Sequence, residues 1–318
     1  MKELTNLKSS NSNNLLVVLP INKIEEIYLN ECLYFLSEQK YPIDLLILSK
    51  LDDAGNALLD NIVKLPIINR STKDKDGKIQ EQKISAEKKI NYCIEKTEKS
   101  TFYEVFNEAS NYAATNNYKW FSVIEHDDVV DINWYGVFNT YAEEKTEVDI
   151  FLPITKEISN GTKVGFINEF CWYEPIGAEV AGVTDLQILL RFNCLNLTCG
   201  VIKTDSVKKY SENKDGLFYP LKESMKISAM YEFFLRSVYN DFKIFTIPRA
   251  GYEHRINRTF DIVDNFSSKL QPDLTSKPVE KGGINRDEAK FWMELAKKEY
   301  FFDHDRKLSY TNSLEVGK

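Results

Sequence analysis

Apolar residues recur along the first 150 positions with two alternating periods. Leu15-Leu16-Val17-Val18-Leu19 is an unbroken apolar run closed by Pro20, the pattern of a parallel strand buried on both faces. From about Ile24 to Gln39 the apolar positions fall at Ile24, Ile27, Tyr28, Cys32, Phe35 and Leu36, a spacing that predicts an amphipathic helix. Ile43-Asp44-Leu45-Leu46-Ile47-Leu48 returns to a strand, which completes a βαβ unit. Arg70 to Lys89 is dominated by Lys, Asp, Glu and Gln and reads as a solvated loop. The alternation then resumes. Phe102–Ala114 reads as a helix, Trp120–Ile124 as a strand, Asn133–Tyr141 as a helix and Asp149–Pro153 as a short strand.

The second half is less regular. Thr162 to Cys199 is β-like and loop-rich, punctuated by Gly165, Gly177, Gly182 and Gly200. Lys222–Tyr239 predicts a helix and Lys243–Ile247 a strand. Beyond Arg258 the chain turns polar, with a linker-like stretch from Ser267 to Gly283 and a last amphipathic helix from Asp287 to Phe302. The expected fold class is therefore α/β, a mostly parallel sheet flanked by helices, with a C-terminal helical appendage.

Composition narrows the function. With 43% hydrophobic and 13% aromatic residues in 318, the chain is long enough to bury a sizeable core. Its net charge of −7 argues against a general polyanion binder, because such affinity comes from Lys and Arg neutralising phosphates. The polar stretch up to Asn14 lacks the pattern of a secretion signal and no apolar run reaches membrane-span length, so a cytoplasmic location is expected. The five cysteines form no CxxC pair, which favours neither zinc nor a disulfide framework.

The chemistry concentrates at Trp120-Phe121-Ser122-Val123-Ile124-Glu125-His126-Asp127-Asp128, where an apolar strand ends in three carboxylates. Open α/β sheets bind ligands beyond the carboxyl ends of their strands, and clustered carboxylates suit Mg²⁺ or Mn²⁺ together with the phosphates of a substrate. The same acids also serve as helix caps, so the motif alone leaves both readings open. His126 alternates away from its acidic neighbours and is expected to pack. Asp52 and Asp53 suit a base or ribose, and equally a turn into Gly55. Glu232 and Arg236 stand four apart on a predicted helix, the spacing of an ordinary ion pair. His254 lies in Pro248-Arg249-Ala250-Gly251-Tyr252-Glu253-His254-Arg255 and is either a late ligand or a structural imidazole. No Gly-rich, Lys-bearing phosphate loop occurs near Leu19 to Lys23, which disfavours a nucleotidyltransferase.

Four segments carry a family resemblance. Val17-Val18-Leu19-Pro20-Ile21-Asn22, the link Cys32-Leu33-Tyr34-Phe35-Leu36-Ser37-Glu38-Gln39-Lys40-Tyr41-Pro42, the stretch Phe106-Asn107-Glu108-Ala109 and the acidic Glu125-His126-Asp127-Asp128 resemble, in that order, motifs of the GT-A nucleotide-sugar glycosyltransferases, in particular the inverting group called family two. The resemblance spans residues 15 to 260 and is clearest in the first 130. It implies residues 1–261 as the catalytic domain, with a nucleotide half (1–153) and an acceptor half (154–261), and 262–318 as linker and helix. It implies Pro20, Asn22, Asp52, Asp53, Asn107, Glu125 and Asp127 at the nucleotide, and Mn²⁺ or Mg²⁺ held by Asp127, Asp128 and His254. Glu125 stands where the family carries Asp. The acidic-Asp pair that usually precedes Leu-Arg in a late helix is missing from Met230-Tyr231-Glu232-Phe233-Phe234-Leu235-Arg236, which leaves Glu232 as first candidate for the base and Glu179 and Asp185 as reserves. The implied partners are a nucleotide sugar, UDP-linked, and a glycan or other hydroxyl acceptor, with oligomers open. Two rival readings are transfer to a hydroxymethylated nucleic-acid base and a catalytically silent nucleotide-sugar binding subunit.

Overall fold

The computed structural model describes residues 14–73, 79–159, 161–172, 180–186, 189, 195–210, 217–255 and 294. Among these, nine strands form one sheet in the order β5-β2-β1-β6-β10-β8-β11-β7, with β9 paired to β8. β1 (Leu15–Ile21) lies at its heart, hydrogen-bonded in parallel to β2 (Asp44–Ser49) and to β6 (Trp120–Val123). All seven of its residues are buried, which is why its sequence is apolar without alternation. β5 (Asn91–Lys96), β8 (Ile150–Ser159) and β11 (Ile244–Arg255) run the same way. β7 (Val129–Val130), β9 (Thr162–Ile167) and β10 (Val201–Lys203) run against them. The sheet is thus mixed but mostly of one direction, as expected.

Side-chain alternation along β1 divides the core into two layers. Leu15, Val17, Leu19 and Ile21 face α1 (Glu26–Ser37), α2 (Asp53–Lys64) and α4 (Trp134–Glu144). Leu16 and Val18 face α3 (Phe102–Thr115) and α5 (Ala229–Tyr239). Thr101 and Glu104 form a reciprocal capping box that fixes where α3 begins. Both helix layers are therefore anchored on the strand that leads the chain toward the sheet's carboxyl edge.

Several elements differ from the reading of the sequence. The Arg70–Lys89 segment is not a bare loop: β3 (Ile67–Lys73) and β4 (Ile79–Ser85) pair antiparallel as a separate two-stranded sheet. α2 and β5 escaped notice because one buries only Leu59, Ile62 and Val63, and the other is a half-exposed edge. Residues 223 to 239 split into a 3₁₀ turn (Glu223–Ser228) and α5. β8 and β11 each run well past their apolar halves, for the polar residues that follow continue the ladder outward. The helix expected at Asp287–Phe302 lies outside the described residues, Glu294 excepted.

Candidate functional site

Beyond β6 the backbone is still held to the sheet, with Ile124 N–H donating to Val18 O at 3.0 Å. It then turns tightly, and Asp128 N–H reaches back to Glu125 O at 3.4 Å. β7 follows at once and pairs with β11, setting Val129 opposite Glu253 and Val130 opposite Tyr252. The acidic turn is thus pinned on one side by β1 and on the other by the end of β11.

That arrangement gathers Glu125, Asp128 and His254. One ligand atom from each lies within 4.8 Å of the others, and all three residues are buried. His254 Nδ1 and Asp128 Oδ2 share a 2.8 Å hydrogen bond, while Arg255 N–H donates to Asp128 Oδ1 at 2.7 Å. A carboxylate holding one ring nitrogen of a histidine is how metal-ligating imidazoles are oriented. Glu125 N–H donates to the Tyr252 hydroxyl oxygen at 3.2 Å, and the Cys32 thiol to Glu125 O at 3.6 Å. The Arg255 guanidinium donates to Asp127 O and to the Glu31 carboxylate, and lies 5.2 Å from the Tyr28 ring centroid.

Three carboxylates within four consecutive residues, each no more than 4% exposed, make an expensive arrangement. Taking one carboxylate out of water costs several kcal/mol even after relaxation, unless a counter-charge offsets it. The field is felt nearby: burial first, then Asp128 and Asp127, pushes the Cys32 thiol up. Burial, then Asp128 and Glu125, does the same to the Tyr252 phenol. Oxygen ligands plus one imidazole fit a hard divalent cation, which holds its ligands roughly 3–4 Å from one another in a closed shell. The donor set is therefore chemically suited to a divalent cation.

Its membership differs. Asp127, read as a ligand, is buried on the same turn but does not belong to the three-residue cluster, because the turn superimposes residues three apart and so sets Glu125 beside Asp128. Asp128 and His254 both belong to the cluster. His126 is buried.

The remaining expected residues scatter. Pro20 lies one residue before the end of β1, opposite Leu48, and Asn22 is exposed just beyond the strand. Asp52 caps α2, accepting from Gly55 N–H at 2.7 Å, and Asp53 pairs with Lys96 at 2.5 Å on the open surface. Asn107 clamps a distant backbone, donating to Leu221 O at 2.8 Å and accepting from Leu221 N–H at 2.9 Å. Asp185 follows Thr184, whose N–H donates to Ile244 O, at the opposite end of β11 from His254. Glu179 lies outside the described residues.

Glu232 is fully buried in the α3–α5 layer, where Arg236 grips both its oxygens at 2.8 and 3.0 Å and Lys222 approaches at 3.4 Å. The i,i+4 ion pair read as an alternative is what the fold contains, buried instead of on the surface. Breaking a buried pair strands a charge, so Arg236→Met is expected to lower stability by about 3 kcal/mol in urea unfolding, with Lys222 compensating only in part. A shift under about 0.5 kcal/mol, the range of surface substitutions, would show the pair to be dispensable.

Sequence reasoning passed over a second acidic pair. The β8–β11 ladder registers Glu157 with His254, so both side chains leave the sheet on one face. On its other side Glu157 meets Gly165 of β9, and a Cβ there would stand 3.0 Å from Glu157 Oε2. Burial raises the pKa of Glu157 against the opposing pull of His254. Burial likewise raises that of Glu169, opposed by its own backbone N–H, with the Glu157 charge adding to the rise. Glu169 Oε2 is a buried oxygen with no hydrogen-bond partner among the described residues. The available signal was alternation, since Thr155 and Glu157 continue the period of β8 beyond its apolar half.

No protein-family model and no curated protein matches this sequence. Solved structures do. The crystal structure of S. aureus TarS 1-349 in complex with UDP-GlcNAc aligns over 92% of this chain and 68% of its own, with a TM-score of 0.55 and 13% identity. The same fragment in complex with UDP aligns over 92% and 72%, with a TM-score of 0.50 and 13% identity. A third TarS structure aligns over 92% and 44%, with a TM-score of 0.51 and 13% identity. At that identity the likeness establishes the fold, which is that of the GT-A glycosyltransferases.

Proposed function

We propose that the protein is a cation-dependent glycosyltransferase that moves a sugar from a UDP-linked donor to an acceptor hydroxyl with inversion. The observation that carries this is the buried Glu125–Asp128–His254 cluster at the carboxyl edge of β1 and β6, where α/β sheets receive nucleotides. The UDP and UDP-GlcNAc held by the TarS structures support the donor class.

Glu125, Asp128 and His254 would hold the cation, with Asp127 adding charge from the same turn. A divalent cation supplies Lewis acidity to a diphosphate that leaves with growing negative charge. The imidazole in the donor set favours Mn²⁺ over Mg²⁺, which prefers oxygen and retained water. Arg255 braces the turn from beneath and joins it to α1 through Glu31. The chain's own residues thereby fix the leaving-group side before any donor arrives.

Inversion also needs a carboxylate that takes the acceptor proton. Glu232 cannot meet an acceptor without surrendering Arg236 and Lys222. We assign the role to Glu157, which stands beside His254 on the same face with no ion-pair partner among the described residues. The engaged state of Glu232 favours one second reading, donor binding without turnover. Among the described residues Cys32, Cys93, Cys171 and Cys199 are free thiols. No helix among the described residues is long and apolar enough to cross a membrane.

Calorimetry with UDP in the presence and absence of Mn²⁺ tests the proposal. Binding that requires the cation is expected, together with Mn²⁺-dependent release of UDP from UDP-GlcNAc. Absence of UDP and UDP-GlcNAc binding under both conditions would overturn the reading. Binding without any release of UDP, whatever hydroxyl acceptor is offered, would favour the silent subunit.

A further inference from the structure

Away from the acidic turn, α1, α2 and β3 enclose a groove of about 560 Å³. Four large apolar side chains on its walls stand in water: Ile27 at 74% exposure, Leu58 at 46%, Leu65 at 54% and Ile67 at 39%. Scattered exposed hydrophobics need no explanation, but a contiguous set lining one groove marks a surface built to be covered. The groove is preformed. Asn30 of α1 ties β3 to the helix by accepting from Ile67 N–H at 2.8 Å, and its own amide donates to Glu26 O.

We infer that this groove seats the chain's own segment 287–302. The described main body ends at Arg255, whose guanidinium reaches Glu31 on the groove wall and stacks over Tyr28, so the chain leaves the core at α1. The intervening residues 256–286 would span on the order of 30 Å as a coil, ample to return to the groove. The segment carries Phe291, Trp292, Leu295 and Ala296 at helical spacing, matching the apolar wall. Glu294, on the polar side of that pattern, is helical and exposed. A second copy of the chain would have to displace a ligand already tethered at high effective concentration.

Hydrogen exchange on the full-length protein tests this, comparing wild type with Ile27→Glu/Leu58→Glu and with Trp292→Glu. Both substituted groove positions are solvent-exposed, so the body should fold. In the groove variant, exchange of residues 287–302 is expected to rise by roughly tenfold or more while β1 and β6 stay protected. In Trp292→Glu, exchange across residues 58–69 should rise in turn. Unchanged exchange in either variant overturns the assignment. So does sedimentation showing a wild-type dimer that the groove variant dissociates, which would identify a second copy as the occupant.

Discussion

Asp128→Asn is expected to cost roughly 100-fold or more in the Mn²⁺-dependent affinity for UDP, the upper range for losing a group that both orients and charges a metal site. The substitution keeps the shape of the side chain and removes its charge. Two contacts change with it: the hydrogen bond that sets the His254 ring and the one that accepts Arg255 N–H. Asp127→Ala removes charge from the same turn but leaves His254 oriented, so its penalty should be smaller. Without cation the order of stability reverses. Diluting three crowded carboxylates relieves repulsion, and the metal-free Asp128→Asn protein should melt at or above the wild-type temperature. Calorimetry and thermal unfolding with and without Mn²⁺ would measure both halves. An affinity within threefold of wild type would remove Asp128 from the cation site.

Glu157→Gln is expected to lower the rate of UDP release from UDP-GlcNAc by roughly 10²-fold or more, the scale of general base catalysis, with donor affinity nearly unchanged. That split separates a base from a ligand, because a residue holding the cation would lose affinity as well. Glu232→Gln should show the opposite profile, with catalysis preserved in the folded fraction and lower stability. Single-turnover kinetics at saturating donor would distinguish them. Near-normal turnover in Glu157→Gln would move the proton-accepting role to Glu169 or to Glu179.

The sequence made the first half of the fold legible because apolar periodicity is strongest where elements are buried on both sides. β1, β2 and β6 satisfy that condition, and α1 and α3 each bury one regular face. The carboxylate turn was legible for the complementary reason, an abrupt change from a wholly buried strand to three acids. What could not be read was pairing across distance. Nothing in the local pattern distinguishes an Asn107 that touches a ligand from one that clamps Leu221. Likewise, the i,i+4 spacing of Glu232 and Arg236 carries no information about burial. Alternation with Thr155 gives the face of Glu157, but its neighbour there depends on which residue of β11 lies beside it. The outer halves of β8 and β11 stay in strand form through the ladder between them, and their polar sequences give no apolar alternation to read.

Between its two halves β11 is bulged. From Ile247 to Tyr252 it advances five residues while β8 advances two, from Pro153 to Thr155, a surplus of three. Strand side chains alternate faces, so the bulge must absorb this odd surplus for later registered partners, Glu157 and His254 among them, to share a face again. Gly251 is part of this accommodation, since a Cβ there would fall 2.4 Å from Trp134 Cε3. Chain length across 248–251 is therefore under a parity constraint. Losing one residue would turn His254 away and present Glu253 or Arg255 to the acids, and losing two would restore the face. Divergence in this segment should accordingly favour even steps, with single-residue gaps expected where His254 no longer faces the acids.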